Sequence, residues 1–189
     1  MTIISAELLG PATGIAELIG QALTAEPDFH VERAPLVPGS SVTNGVAADA
    51  CKDVTILVPE IATDDSWEEQ SEEDCERELS ALIHACFRHA RMVAGKMMRK
   101  RKGCIVFCTP QPKDGLTDKL GRLSEKQEIA SAGLMALAKV LALEFASKGV
   151  RTYFLEASGS TKKESIAPLM RWLCGEGASY STGLQITVQ

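Results

Sequence analysis

The sequence lacks the marks of several common classes. Its net charge is −5, with no basic excess to attract a nucleic-acid backbone. No apolar run approaches the length needed to span a bilayer, and no basic start followed by an apolar stretch marks a signal peptide. The six cysteines form no C-x-x-C pair, and no histidine stands at zinc-finger spacing from them. Neither a metal site nor a disulfide framework is expected, and buried free thiols fit a reducing cytoplasm. There is no internal repeat.

What is present is ordinary globular material. The chain has 189 residues, 45% of them hydrophobic, enough for one domain with its own core. Apolar runs at 2–9, 30–34, 54–58, 104–108, 150–155 and 184–188 have the length of strands. Helical periodicity falls between them, at 15–25, 79–101, 125–147 and 166–174. The stretch 35–50 is rich in Gly, Pro, Ser and Ala and reads as a loop. The acidic segment 64–78 reads as a solvated loop and helix start. Arg99-Lys100-Arg101-Lys102 closes the first long helix, where cations favour the dipole. Strands alternating with helices predict an α/β fold: a shortened, Rossmann-like, doubly wound parallel sheet in a single domain, 1–189.

The second long helix is apolar nearly all round. Ile129, Leu134, Leu137, Ala138, Leu141 and Phe145 can line one face, while Ala130, Gly133, Ala136, Val140 and Leu143 occupy the others. A helix lying on a sheet in a monomer should keep a polar side. The spare apolar surface predicts contact with another subunit, and Phe87 and Met97 of the first long helix join it as interface candidates.

Several motifs resemble the short-chain dehydrogenase/reductase family. The segment Ser131-Ala132-Gly133-Leu134 is similar to the family's Lys-Ala-Gly-Leu after its catalytic tyrosine. Ala142-Leu143-Glu144-Phe145-Ala146 and Gly149-Val150-Arg151 match the wording that follows, and Ala178-Ser179-Tyr180-Ser181-Thr182-Gly183 resembles its C-terminal Ala-Ser-Tyr-Ile-Thr-Gly. The resemblance is strong from Leu79 onward and looser over residues 3–58.

The resemblance implies hydride transfer between a nicotinamide and a carbonyl or alcohol carbon, with a tyrosine as acid/base and a lysine four residues on. On this match the tyrosine position holds Gln127 and the lysine position Ser131. The substrate-orienting serine is replaced by Pro110 and the helix asparagine by Leu82. Glutamine exchanges no proton near neutral pH, and no Tyr-x-x-x-Lys occurs elsewhere. The dinucleotide loop survives as Gly10, Gly14 and Ala16, which a tight strand-to-helix turn alone would require. The second strand is followed by a loop where the family continues with helix, strand and helix. Glu60 stands near the cofactor position, and the substrate lid after residue 157 is short.

The resemblance therefore implies no enzyme on its own and no cofactor or metal held by this chain. It implies a cytoplasmic subunit of a hetero-oligomer, expected to be a heterotetramer, whose active family partner holds NAD. In length and in its losses the chain is similar to the inactive member of an alcohol dehydrogenase of benzylsuccinate β-oxidation. A stand-alone dinucleotide sensor is the alternative reading. A relocated active site using His84 or His89 is a third.

Overall fold

The run 104–108 has no polar alternation because both of its faces are covered. In the computed structural model, which describes residues 3–12, 14–36, 52–59, 71–111, 125–158 and 161–188, it forms the centre of a parallel sheet. The elements in chain order are β1 (Ile4–Leu9), α1 (Gly14–Thr24), β2 (Phe29–Ala34), β3 (Val54–Leu57), α2 (Glu72–Lys100), β4 (Gly103–Pro110), α3 (Glu125–Phe145), β5 (Val150–Ala157), α4 (Lys163–Cys174) and β6 (Gln185–Val188). The six strands lie in the order β2-β1-β3-β4-β5-β6, and every pairing is parallel. The α/β doubly wound class is as expected.

Strand parity divides the core into two layers. Ala6, Leu8, Ile56, Val106, Cys108, Tyr153 and Leu155 face α1 and α4. Leu57, Ile105, Phe107 and Phe154 face α2 and α3. Each large side chain withdrawn from water contributes about 1.5–3 kcal/mol. Burial also pushes the Cys86 thiol up to about 12, which keeps it inert.

Helix α2 begins earlier than the apolar periodicity indicated. Ser71 is its N-cap, accepting from the Asp74 amide at 3.1 Å, so Glu72, Glu73 and Asp74 form its first turn. It ends at Arg101, which takes a left-handed conformation with φ 53°. Gly149 closes the next connection at φ 78°, tight against the Arg101 carbonyl.

The membrane expectation needs correcting. Residues Lys126–Lys148 form a helix whose length and mean hydropathy of 1.7 would let it cross a bilayer. Its many alanines hid this from a reading keyed to long aliphatic runs. One face of it, Ala130, Leu134, Ala138, Leu141 and Phe145, is buried against the rest of the fold, so a core accounts for much of its apolar character.

The two sheet edges differ. Strand β2 carries Glu32 and Arg33, tied to Lys52 and Glu17 by ion pairs. Strand β6, Gln-Ile-Thr-Val, bears no charge.

Arg171 of α4 clamps the turn before β2. Its Nε donates to Asp28 Oδ2 at 2.6 Å, and its Nη2 donates to Asp28 Oδ1 at 3.0 Å and Glu26 Oε2 at 2.9 Å. The guanidinium holds the Asp28 carboxyl below the ordinary aspartate range, against an opposing effect of burial. A carboxyl depressed in the folded state contributes stability above its unfolded value and loses it as pH falls through the folded one. The urea midpoint of the wild type should therefore fall on acidification from about pH 6 to about pH 3 more steeply than that of Arg171→Met. Parallel curves would show that the clamp has no part in acid stability.

Candidate functional site

In an open parallel sheet, ligands bind beyond the carboxyl ends of the strands, where the strand order reverses. Here the reversal lies between β1 and β3. The groups at that rim are Gly10 after β1, Val58 and Pro59 after β3, Thr109 and Pro110 on β4, Glu156 on β5, and the first turns of α3.

Gln127 stands in the first turn of α3 and is buried. Its amide Nε2 lies 3.4 Å from the Pro59 carbonyl, joining α3 to the end of β3. Beside it Lys126, also buried, donates to Glu78 Oε2 at 2.8 Å and ties the starts of α2 and α3 together. Ser131, one turn on, has a buried Oγ with no hydrogen-bond partner among the described residues. It lines a cleft of about 370 Å³ between α3, β5 and β6, with Glu128, Ala132, Met135, Phe154, Glu156 and Gln185. The Glu156 carboxylate accepts from Gln185 and Thr187, each at 3.1 Å. Among the described residues, the two glutamates are the only ionisable groups in the cleft lining.

Pro110 closes β4, and Leu82 is buried on α2. Thr109 shares the parity of Ile105 and Phe107, so its hydroxyl lies in the α2–α3 layer, buried and without a partner among the described residues. The motif match names Pro110 at this place, and Thr109 is its neighbour on β4. Sequence reasoning missed Lys126, Glu78 and the acidic cleft altogether; strand parity on β4 was the available signal for Thr109 alone. His84 is exposed and His89 fully buried against Glu7. No described histidine reaches the rim.

The dinucleotide remnant is explained by packing. A Cβ on Gly10 would lie 2.9 Å from both Cβ and O of Val58 and 3.0 Å from Cβ of Ala16. Gly14 takes φ 59°, which favours glycine. Strand β2 runs out into Ala34, Pro35 and Leu36, with no acidic residue to hold a ribose. Among the described residues, packing and backbone conformation account for Gly10 and Gly14 without a bound nucleotide. Thr13, Glu60 and most of the loop 35–50 lie outside the described residues.

The interface candidates separate. Ala136, Val140 (58% exposed), Leu143 (86%) and Phe87 (38%) lie at the surface. Ala130 and Met97 are corrected to core positions, 0% and 1% exposed, where a second chain cannot touch them. Gly133 faces inward: a Cβ there would approach Ile83 of α2 to 3.2 Å. The apolar character of α3 all round concealed which residues pointed where.

Neither a protein-family model nor a curated protein matches the sequence. Solved structures do match. An acetoin dehydrogenase from Enterobacter cloacae aligns over 100% of this chain and 95% of its own, with TM-score 0.73 and 18% identity. A short-chain dehydrogenase/reductase family oxidoreductase from Burkholderia thailandensis covers 100% and 92%, with TM-score 0.72 and 18% identity. A short-chain dehydrogenase from Leptospira borgpetersenii, solved with bound NAD+, covers 100% and 92%, with TM-score 0.73 and 14% identity. The fold is that of the short-chain dehydrogenases/reductases. These neighbours are oxidoreductases, which overturns the expectation that the chain is no enzyme on its own. Replacement of four motif residues does not by itself separate the chain from that company.

Proposed function

We propose that the chain is a structural or regulatory subunit of a hetero-oligomeric NAD-dependent short-chain alcohol dehydrogenase. The observation that carries this reading is the outward stripe of α3. Ile129, Ala132, Ala136, Val140 and Leu143 recur at helical spacing and lie on the surface, with Ile129 47%, Val140 58% and Leu143 86% exposed. They lie opposite the buried stripe, and Phe87 and Met92 of α2 extend the apolar surface. A face of this kind marks an assembly surface. Gln127, Ser131, Pro110 and Leu82 stand at the positions matched to the family's working residues, and the partner is taken to bring its own NAD. A heterotetramer satisfies the requirement for closed symmetry.

The substrate assignment is 2-(hydroxyphenylmethyl)succinyl-CoA, oxidised to its ketone in benzylsuccinate β-oxidation. It rests on the pattern of replaced residues at Gln127, Ser131, Pro110 and Leu82. The test is co-expression with the intact short-chain dehydrogenase of the same source, followed by size-exclusion and an NAD-reduction assay with this thioester. Co-elution, with a partner that loses stability or turnover when purified alone, is expected. Separate migration of the two chains, with the lone partner fully active and stable, would remove the proposal.

A further inference from the structure

Two cysteines far apart in sequence meet at the amino end of the sheet. Cys104 stands near the start of β4, is 1% exposed, and points into the α1–α4 layer with Val106 and Cys108. Cys174 is the last residue of α4 and packs against that same layer. A crossover helix runs back along the sheet, so the end of α4 returns to where β4 begins. The two thiols are in hydrogen-bonding contact. Arg151 fixes the approach. It is the register partner of Cys104 on β5, and its Nη1 and Nη2 donate to the carbonyls of Gly175 and Cys174, each at 2.8 Å. The end of α4 is thereby held over the start of β4 by the backbone of the cysteine itself.

Unlike Cys86, which is sealed from solvent, Cys174 is half-buried and lines a small cavity of about 30 Å³. Among the described residues the charged groups of that lining are Asp53, Lys102 and Arg151. Asp53 accepts from the amide of Ser5 at 3.0 Å and from its hydroxyl at 2.9 Å. A space of this size holds a water-sized molecule. It admits hydrogen peroxide and excludes a tripeptide disulfide such as oxidised glutathione. The Cys104 thiol, and then burial, push the Cys174 thiol well above the ordinary cysteine range, against the pull of Arg151. The pair therefore rests as two thiols near neutral pH and gains thiolate as the pH rises.

We propose that Cys104 and Cys174 are a peroxide-responsive dithiol that closes to a disulfide, stapling the end of α4 to the centre of the sheet. Cys174, at the cavity, reacts first. Its thiolate sulfur attacks one peroxide oxygen, the O–O bond breaks, and the other oxygen leaves as water with the proton the thiol gave up. Cys174 is then a sulfenic acid. The Cys104 sulfur attacks the Cys174 sulfur, the S–O bond breaks, and the oxygen leaves as a second water with the Cys104 proton. Two thiols and one peroxide become one disulfide and two waters, with two electrons passed from sulfur to oxygen. The pair lies at the opposite end of the sheet from the rim, so nothing in it depends on which partner the chain takes.

The test uses the full chain, reduced, freed of reductant and treated with hydrogen peroxide under native conditions. Peptide mapping without reductant should show one linked pair, Cys104 with Cys174. Two thiols per chain should be lost, the chain should keep the mobility of a 20.3 kDa monomer, and dithiothreitol should restore it. The closure rate should rise about ten-fold per pH unit between about pH 7 and about pH 9, following the thiolate fraction. In Cys104→Ala the sulfenic acid has no second sulfur to meet, so a 1,3-dione reagent should label Cys174. In Cys174→Ala the same reagent should leave Cys104 unlabelled. A wild-type chain that forms no link between these two residues, links them only between chains, or closes at a rate indifferent to pH would overturn the proposal. Labelling of Cys104 in Cys174→Ala would overturn the order of attack. Should either variant fail to fold, the wild-type map decides alone.

Discussion

Replacing His89 by leucine is expected to lower stability by about 1–3 kcal/mol, the usual cost of leaving a buried polar group without its hydrogen-bond partner. His89 is wholly enclosed on α2, and Glu7 on β1 is 2% exposed. Glu7 Oε2 lies 3.3 Å from His89 Nε2, and Thr55 Oγ1 approaches the same oxygen at 3.5 Å. Glu7 Oε1 and His89 Nδ1 have no partner among the described residues. Without the imidazole, the carboxyl keeps only the long contact from Thr55 in an apolar layer. The double variant Glu7→Leu with His89→Leu removes both polar groups and should recover most of the loss, because two apolar side chains need no desolvated partner. Urea unfolding of the two single variants and the double variant reads the coupling directly. Losses that add in the double variant would show that the pair has no net coupling.

Gly149→Ala should cost about 3 kcal/mol or more, through backbone alone. Its φ of 78° is left-handed, which costs an L side chain about 1–2 kcal/mol. A Cβ there would also lie 2.2 Å from the Arg101 carbonyl oxygen and 2.7 Å from the carbonyl carbon. Those are backbone atoms at the end of α2, so relief requires moving the connection that feeds β4. Asparagine tolerates the left-handed region better than alanine. Gly149→Asn should nevertheless lose nearly as much, because the collision belongs to Cβ, which both residues share. Full recovery by asparagine in thermal unfolding would assign the whole effect to φ and none to the contact.

The strands were legible because a doubly covered strand has no room for polar alternation, as at 104–108 and 150–155. The long helices were legible in existence and less so in phase. On α3, alanine and leucine occupy every side, so sequence could not separate Ala130, which is buried, from Val140, which is exposed. Met97 was placed outward although it lies beneath Gly103, where a Cβ would meet its sulfur at 2.3 Å. The start of α2 was hidden because capping, not apolar periodicity, sets it. Of the rim, Gln127, Ser131, Pro110 and Leu82 were reached through resemblance. The unpartnered hydroxyl of Thr109 and the cleft beside Glu156 depend on which layer a strand faces, and that is known only once the helices have been assigned to their sides. Glu7 was invisible for a related reason. A lone acid within an apolar strand gives no sign that a histidine eighty-two positions on will meet it.

The unequal edges of the sheet set a limit on polymer growth. A fibril needs two addition sites per subunit, so that each newcomer offers a fresh end to the next. At β2 the pairs Glu32–Lys52 and Arg33–Glu17 place charge along the rim, where an incoming strand would have to strip them of water. Among the described residues, β6 is the sheet edge free of charge and open to strand addition. Two chains joined there would each have used their one permissive edge, and the extended sheet would terminate at both ends on β2. Any misassembly by strand addition is thereby arithmetically closed at two copies, a safeguard that charge reversal at Glu32 and Arg33 would leave in place and their replacement by valine would remove.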